Sequence, residues 1–440
     1  MNGAMAAVIT RMKFAWIATV SVTCALAAHV QDCRAEDAAA IVAPVRTNEP
    51  LDSVKQEPLF GGWTWRQRLA AAGVTLNAHF IGEWAGNRKG YAGSGWDYAQ
   101  HVDLGAVLDL AKLGVAESGT VRIVLSDRVG KTLQSRTGAY IQNQAFYGQG
   151  QNFRFDELSY ERSVLDGSVS LKGGFYSLGN DFGGLPYVCN FTNNGHCGHP
   201  LALLYGSGWV DSPTGQWGGR VKWSGADGWY AQSGVYDVTP LRKTSGYGFD
   251  LGFPGKTTGY IAPFEVGYVH GASPADYAGT YKFGGYYDSS HAARVGDPED
   301  RVQGRNGAYV QSAQQIWKPE SNSVRGIALF AIANVADSRT GLFRSYFEAG
   351  TSWRGMFAQR PDDVASFGWV RANINPHLRA LQARTGKVMQ TDEQLWELNY
   401  GVQLTRWLLL RPTVQYVVRP GGYAERPDST VFVMHLQAMF

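Results

Sequence analysis

Charge is scarce in this chain. Only 18% of its 440 residues are Asp, Glu, Lys or Arg, and 40 basic against 37 acidic side chains leave a net charge of +3. That balance excludes the basic face of a nucleic-acid binder and favours no strongly charged solute. Cysteine is scarcer still, at four, with no Cys-x-x-Cys pair of the kind a zinc site uses. Beyond the first thirty residues no apolar run reaches the ~18 residues of a membrane-spanning helix. Catalytic signatures are missing too: there is no GxSxG, HExxH or Walker-type loop, and the nine histidines are scattered without a nucleophile motif. The glycine pairs at 61–62, 183–184 and 421–422 read as turns, not phosphate loops. No cofactor, resident metal or catalytic residue is expected.

What is present is glycine and aromatic: 54 Gly, 22 Tyr, 20 Phe and 14 Trp, with a mean hydropathy of −0.23. Many short strands with tight turns and an aromatic-rich surface suit that mixture better than helical domains. The one long apolar stretch opens the chain, where Arg11 and Lys13 precede a run from Phe14 to Ala28. It reads as an export leader. Residues 1–35 are expected to be a signal peptide cleaved after Ala35, with Ala27 or Ala28 as alternative sites and Met12 as an alternative start. Its loss removes Cys24, Cys33 and His29 and lowers the net charge from +3 to about +1.

Cys189 and Cys197 remain, bracketing the polar segment NFTNNGH. A disulfide clamping a surface loop in an oxidising compartment is the leading reading. A metal cluster with His196 and His199 is the alternative, but the spacing of a zinc site is absent.

Residues 36–58 are rich in Ala, Pro and charge without periodicity, and are expected to form a flexible periplasmic lead-in. Residues 59–73 have short helical character and are placed at the barrel entrance. From Val74 onward the period changes to two. About sixteen alternating runs follow, at 74–84, 101–110, 119–127, 153–162, 168–177, 216–224, 228–236, 261–270, 279–287, 306–316, 324–333, 343–352, 366–374, 394–404, 408–418 and 430–440. Most approach the ~9–11 residues with which a tilted strand crosses the hydrocarbon layer.

The gaps alternate between long after odd-numbered runs and short after even-numbered ones. An up-and-down membrane barrel with short periplasmic turns and long extracellular loops needs that asymmetry. One even gap, 353–366, is too long for the pattern and points to a missed bulge or a misplaced strand. In the last run Phe432, Met434, Leu436, Ala438 and Phe440 share one face against Val431, Val433, His435 and Gln437. In 394–404, Trp396, Leu398, Tyr400, Val402 and Leu404 oppose Glu397, Asn399 and Gln403. Lipid outside and water inside is the simplest cause, since only a closed sheet satisfies every backbone group in a bilayer. The expected fold over 74–440 is therefore an all-β, transmembrane antiparallel barrel of about 16 strands.

These residues resemble the carbohydrate-selective outer-membrane porins of the OprB type. The likeness is clearest in ELNYGVQLTRWLLLRPTVQYVVRPGG at 397–422, and extends to FDELSYERSVLDGSVSLKGG at 155–174, QWGGRVKW at 216–223 and LFGGWTWRQRLAAAGVTL at 59–76. The resemblance implies a sixteen-stranded barrel in the bacterial outer membrane, passive diffusion of small neutral sugars such as glucose, and a constriction of charged and aromatic residues. A terminal Phe440 resembles the signal read by the outer-membrane barrel assembly machinery. Monomer and trimer both remain open. The Cys189–Cys197 segment and residues 288–305 have no counterpart in that family's pattern.

A sugar pore presents hydrogen-bonding side chains and a few aromatic faces, and binds weakly enough to release. With the apolar faces outward, the inward candidates are Arg122, Glu157, Glu161, Lys172, Arg220, Lys222, Glu265, Glu397 and Arg411. Arg122, Glu157, Lys172 and Arg220 fall on consecutive runs and are expected to meet across the wall. The bland alternative is that these residues only solvate a wide lumen or pair with one another. Trp63, Trp65 and Arg66 are expected either to plug the lumen partly or to cap it from the periplasm. Trp396, Tyr400, Trp407 and Tyr416, with Tyr286 and Tyr287, suit an outward girdle at headgroup level better than a ligand box. Two other classes compete with a pore: an outer-membrane barrel enzyme acting on lipid or glycan, and a soluble secreted sugar-binding β-protein.

Overall fold

The computed structural model describes residues 57–440 apart from 149, 254–255, 272–274 and 322. The expected leader at 1–35 and nearly all of the lead-in at 36–58 lie outside the described residues. A short helix, α1 (Thr64–Ala71), precedes sixteen strands. They are β1 (Val74–Asn87), β2 (Gly95–Asp109), β3 (Thr120–Gly130), β4 (Phe153–Val164), β5 (Val169–Tyr176), β6 (Gln216–Ser224), β7 (Trp229–Val238) and β8 (Gly259–His270). The second half comprises β9 (Gly279–Arg294), β10 (Asp297–Trp317), β11 (Gly326–Val335), β12 (Phe343–Arg354), β13 (Val364–Ile374), β14 (Asp392–Thr405), β15 (Leu408–Val418) and β16 (Ser429–Met439).

Each strand pairs antiparallel with its neighbours in sequence, and β1 pairs with β16 from His79↔Met439 to Asn87↔Val431, so the sheet is a closed barrel. Closure leaves no edge, which is what allows a sheet to stand in lipid. The alternation read from sequence sets the two faces. In β16, Phe432 and Met434 are exposed on the outside while Val431, Val433 and His435 are buried inside. β14 does the same with Trp396 and Leu398 outside and Glu397 and Asn399 inside.

One rim carries α1, Phe440 and the connectors 110–119, 165–168, 225–228, 271–278, 318–325, 355–363 and 406–407; the other carries 131–152, 177–215, 239–258 and 375–391 among others. By the general rule for such barrels the first rim is periplasmic. Two stretches differ from the sequence reading. The gap near 353–366 hides neither a bulge nor a misplaced strand. β12 and β13 run in unbroken register from Ser345↔Asn373 to Arg354↔Val364, and 355–363 is simply a longer turn braced by Arg360–Asp363 (2.8 Å). Residues 288–305, unplaced from sequence, extend β9 and β10 into a long hairpin around Val295 and Gly296, with irregular register between Asp297 and Arg305. Its sequence, DSSHAARVGDPED, is polar on both faces, so no alternation marks it.

The barrel interior is not polar throughout. Connector 177–215 folds inward and carries the helix α2 (Leu201–Gly206). Its Leu178, Phe182, Leu203 and Trp209 cluster with the inward side chains Tyr176, Tyr236, Ile261, Tyr286 and Tyr309. Leu185, Val188 and Phe191 cover Phe330 and Ile332 in the same way. Inward apolar positions on the loop-side halves of these strands exist because a loop, not water, covers them. Tyr286 is thus a correction: it is 3% exposed and faces inward against Trp209, while Tyr287, next in the strand, faces out. Adjacent residues of one strand cannot both join the girdle.

Candidate functional site: a charge-lined, loop-narrowed lumen

Five of the inward candidates meet on one wall. Register places Lys172 on β5 beside Glu161 on β4 and Arg220 on β6. Lys172 Nζ lies 3.2 Å from Glu157, Arg122 Nε lies 3.8 Å from the same carboxylate, and Arg220 donates to Glu161 at 2.8 Å. Ser159 and Ser170 donate to Glu157 and Glu161, both at 2.5 Å. Asp181, from the inward loop, completes the group at 3.7 Å from Lys172 and 3.5 Å from Arg220. The side chains of Arg122 and Glu161 stay about a quarter exposed, whereas Glu157, Lys172 and Arg220 are nearly sealed. Lys222 stands over the Tyr230 ring at 4.6 Å.

Glu265 faces inward but does not border open space. It is fully buried and accepts from Tyr230 and Tyr309 hydroxyls (2.8 Å each), Gln232 (2.9 Å) and the Gly183 amide (3.0 Å). It holds the loop down. Gln311 donates to the Gly183 carbonyl at 2.7 Å and fixes the same point.

The same loop reaches the far wall. Glu397 on β14 accepts from the Thr192 amide (2.8 Å), Asn193 (2.6 Å), Asn399 (2.8 Å) and Gln415 (3.0 Å). Arg411 on β15 donates to the Cys189 carbonyl at 3.1 Å. Residues 181–193 therefore run from the β5–β10 wall to the β14–β15 wall and narrow the lumen. The Cys189–Cys197 disulfide is formed and closes the hairpin that makes the second contact. Its contact with the inward Arg411 places it within the barrel, Cys197 buried and Cys189 exposed, and not on an outer surface loop as the polar segment implied. Burial pushes His196 down to about 3, and the neutral ring stacks on Phe191 at 4.1 Å. Burial opposes charge on His199 as well, but the Asp211 carboxylate at 2.8 Å outweighs it and holds the imidazole above its ordinary value.

A second polar belt, not singled out from sequence, lines β1–β3 and β16. Glu83 pairs with His435 (3.0 Å), His101 with Asp103 (2.8 Å), and Arg128 Nε donates to His101 Nδ1 (3.1 Å). Phe146, from connector 131–152, sits half-buried among them, its centroid 5.6 Å from His101 and 5.9 Å from the Arg128 guanidinium. Its amide donates to Glu83 at 3.2 Å. The inward parity of Glu83, His101, Asp103 and His435 was readable from the runs; Phe146 lies in a connector without period.

Trp63, Trp65 and Arg66 are not in the lumen. Trp65 and Arg66 border a cleft against Leu76, Ala78, Leu104, Ala106, Ile123 and Leu125, all outward side chains of β1–β3. The correction has a simple cause: the turn at Gly73 (φ +96°) and the Asp109–Gly73 backbone bond (2.8 Å) bring α1 back over the outer edge. Phe440 closes this corner, its amide bonded to the Ala78 carbonyl at 2.9 Å and its ring 6.4 Å from Phe60. Trp396 and Tyr416 are exposed on the outer face, as a girdle requires.

The profile described as "Carbohydrate-selective porin, OprB family" matches residues 94–440. Porin B of Pseudomonas aeruginosa is 29% identical over 420 residues, spanning 87% of this chain and 91% of that protein. The putative porin QuiX of Acinetobacter baylyi is 28% identical over 410 residues, spanning 87% and 93%. The high-pH structure of Pseudomonas putida OprB superposes with a TM-score of 0.82 at 28% identity, covering 88% of this chain and 99% of that one.

Proposed function

The chain belongs to the OprB family of carbohydrate-selective porins, and from that premise we propose that it passes glucose-like monosaccharides, and polyols of similar size, through its charge-paired lumen. It is an outer-membrane channel and not an enzyme: solute moves down its gradient with no covalent step. The observation that carries the finer reading is the pairing of lumen charges. Along one stretch of the lumen wall Arg122, Lys172 and Arg220 balance Glu157, Glu161 and the loop residue Asp181 within 4 Å, and on the adjoining stretch, which shares β3, Arg128, His101 and Asp103 form a linked chain. Paired charges present many donors and acceptors with little net field, which suits a neutral polyhydroxylated solute.

Arg122, Glu161 and Asp103, each about a quarter exposed, are the groups that exchange hydrogen bonds with a passing sugar. Phe146 offers a ring face for the apolar C–H side of a pyranose. Lys222 adds a donor nearby, while Arg220, nearly sealed, holds Glu161 in place. Glu265, Glu397 and Arg411 act by holding the narrowing loop. Export by a leader over residues 1–35 and recognition of the Phe440 terminus by the barrel assembly machinery complete the route to the membrane. Liposome swelling with a matched panel tests the reading. Glucose and a polyol of its size should enter faster than a sugar acid or amino sugar of equal mass; equal rates for all would reject the neutral-sugar assignment.

A further inference from the structure

Helix α1 carries two cations, Arg66 and Arg68, and no acidic residue. Among the described residues neither cation pairs with a carboxylate, while Lys112 pairs with Asp109 at 3.6 Å and Glu57 with Arg406 at 2.8 Å. The helix buries none of its residues, and Trp63 and Trp65 remain 53% and 45% exposed. Between α1 and the wall lies an apolar cleft of about 440 Å3, lined by Phe60, Trp65, Leu104, Ile123, Leu125 and Phe440, with Arg66 at its edge. The wall side of this cleft is the outward, lipid-facing side of β1–β3, at the end of the barrel where the strands meet the periplasmic rim. An apolar slot continuous with lipid, bordered by the Trp65 indole and the Arg66 guanidinium, with Arg68 exposed on the same short helix, has the two-part chemistry of an anionic phospholipid.

We propose that this cleft binds one anionic phospholipid of the periplasmic leaflet, an acyl chain lying against Leu104, Ile123 and Leu125 and the phosphate meeting Arg66 and Arg68. Arg66 already donates to the Leu76 carbonyl, which fixes its side chain at the cleft edge and leaves further N–H groups for a phosphate oxygen. Trp63 and Trp65 are exposed beside it, as indoles that favour the headgroup level would be. The site fastens the first strand and the C-terminal strand, whose pairing closes the barrel, to the membrane surface. It rests on the barrel spanning a bilayer, not on which solute passes through.

Native mass spectrometry of the full exported barrel, released from mild detergent after incubation with phosphatidylglycerol or phosphatidylcholine of identical chains, provides the test. The barrel should retain one phosphatidylglycerol and shed phosphatidylcholine. Each cation removed should weaken retention about fivefold, so Arg66→Gln with Arg68→Gln lowers it roughly twenty-five-fold. Ala106→Trp keeps both cations but fills the slot from the wall side and should abolish retention. All variants should keep wild-type conductance, which separates a lost lipid from a misfolded barrel or a failed pore. Equal retention of the two lipids, undiminished binding in either variant, or lipid-free dimers seated through this corner would overturn the proposal.

Discussion

Glu397 shows what a single inward residue does in this barrel. Its carboxylate collects donors from Thr192, Asn193, Asn399 and Gln415, so two loop residues and two wall residues share one acceptor. Glu397→Ala strands those donors at a loss of about 2 kcal/mol, and frees the far end of the loop. Single-channel conductance should rise and the unfolding midpoint in denaturant should fall; an unchanged conductance would mean that the loop is held elsewhere. His199 and Asp211 make a pH-dependent clamp in the same loop. The imidazole is raised above its ordinary 6.5, so its contribution is complete below that value and is lost as pH rises through the raised one. The carboxylate is lowered from 3.8, so its contribution is present above 3.8 and is lost as pH falls through the depressed value. Hydrogen exchange over 196–212, corrected for intrinsic rates, should therefore quicken on the alkaline side, and Asp211→Asn should flatten that dependence. On the opposite wall, Arg220→Gln leaves Glu161 and Asp181 with one cation fewer. The reversal potential in a salt gradient should move toward cation preference.

The strands were legible because lipid leaves a sequence little choice. Outward positions must be apolar, and a period of two follows, so all sixteen runs fall on β1–β16, with ends displaced by a few residues except at β2, β9 and β10, where the strand extends six to nine residues beyond the run. Where the membrane stops dictating, the signal fades: the β9–β10 hairpin beyond the rim is polar on both faces and was unreadable. The site was legible in the same proportion. Arg122, Glu157, Lys172 and Arg220 follow from parity alone, and they do meet. Asp181, Asn193 and Phe146 come from connectors, whose inward fold depends on distant partners and leaves no periodic trace. The disulfide belongs to this scale. Replacing both Cys189 and Cys197 with Ser removes a constraint on a short loop worth about 2.5 kcal/mol by chain entropy. The hairpin against Glu397 should loosen while the wall strands keep their pairing. The measurable result is noisier, larger channel openings with unchanged heat-modifiable migration on gels.

At the scale of the whole molecule two systems share one sheet. The outer face answers to lipid, and the inner face answers partly to water and partly to the loops that fill the half of the barrel away from the termini. Closure by β1 and β16 makes both possible, because it removes every unpaired edge. The proposed function requires an aqueous path past the inward loop, lined by paired charge and bordered by Phe146, that admits a hexose. Titrating glucose into a single channel in a planar bilayer tests this most directly. Open current should fall in a saturable manner as glucose rises, and the block should weaken when Phe146 is replaced by Ala. A channel that conducts ions but is indifferent to glucose at every concentration, or no channel at all, would contradict it.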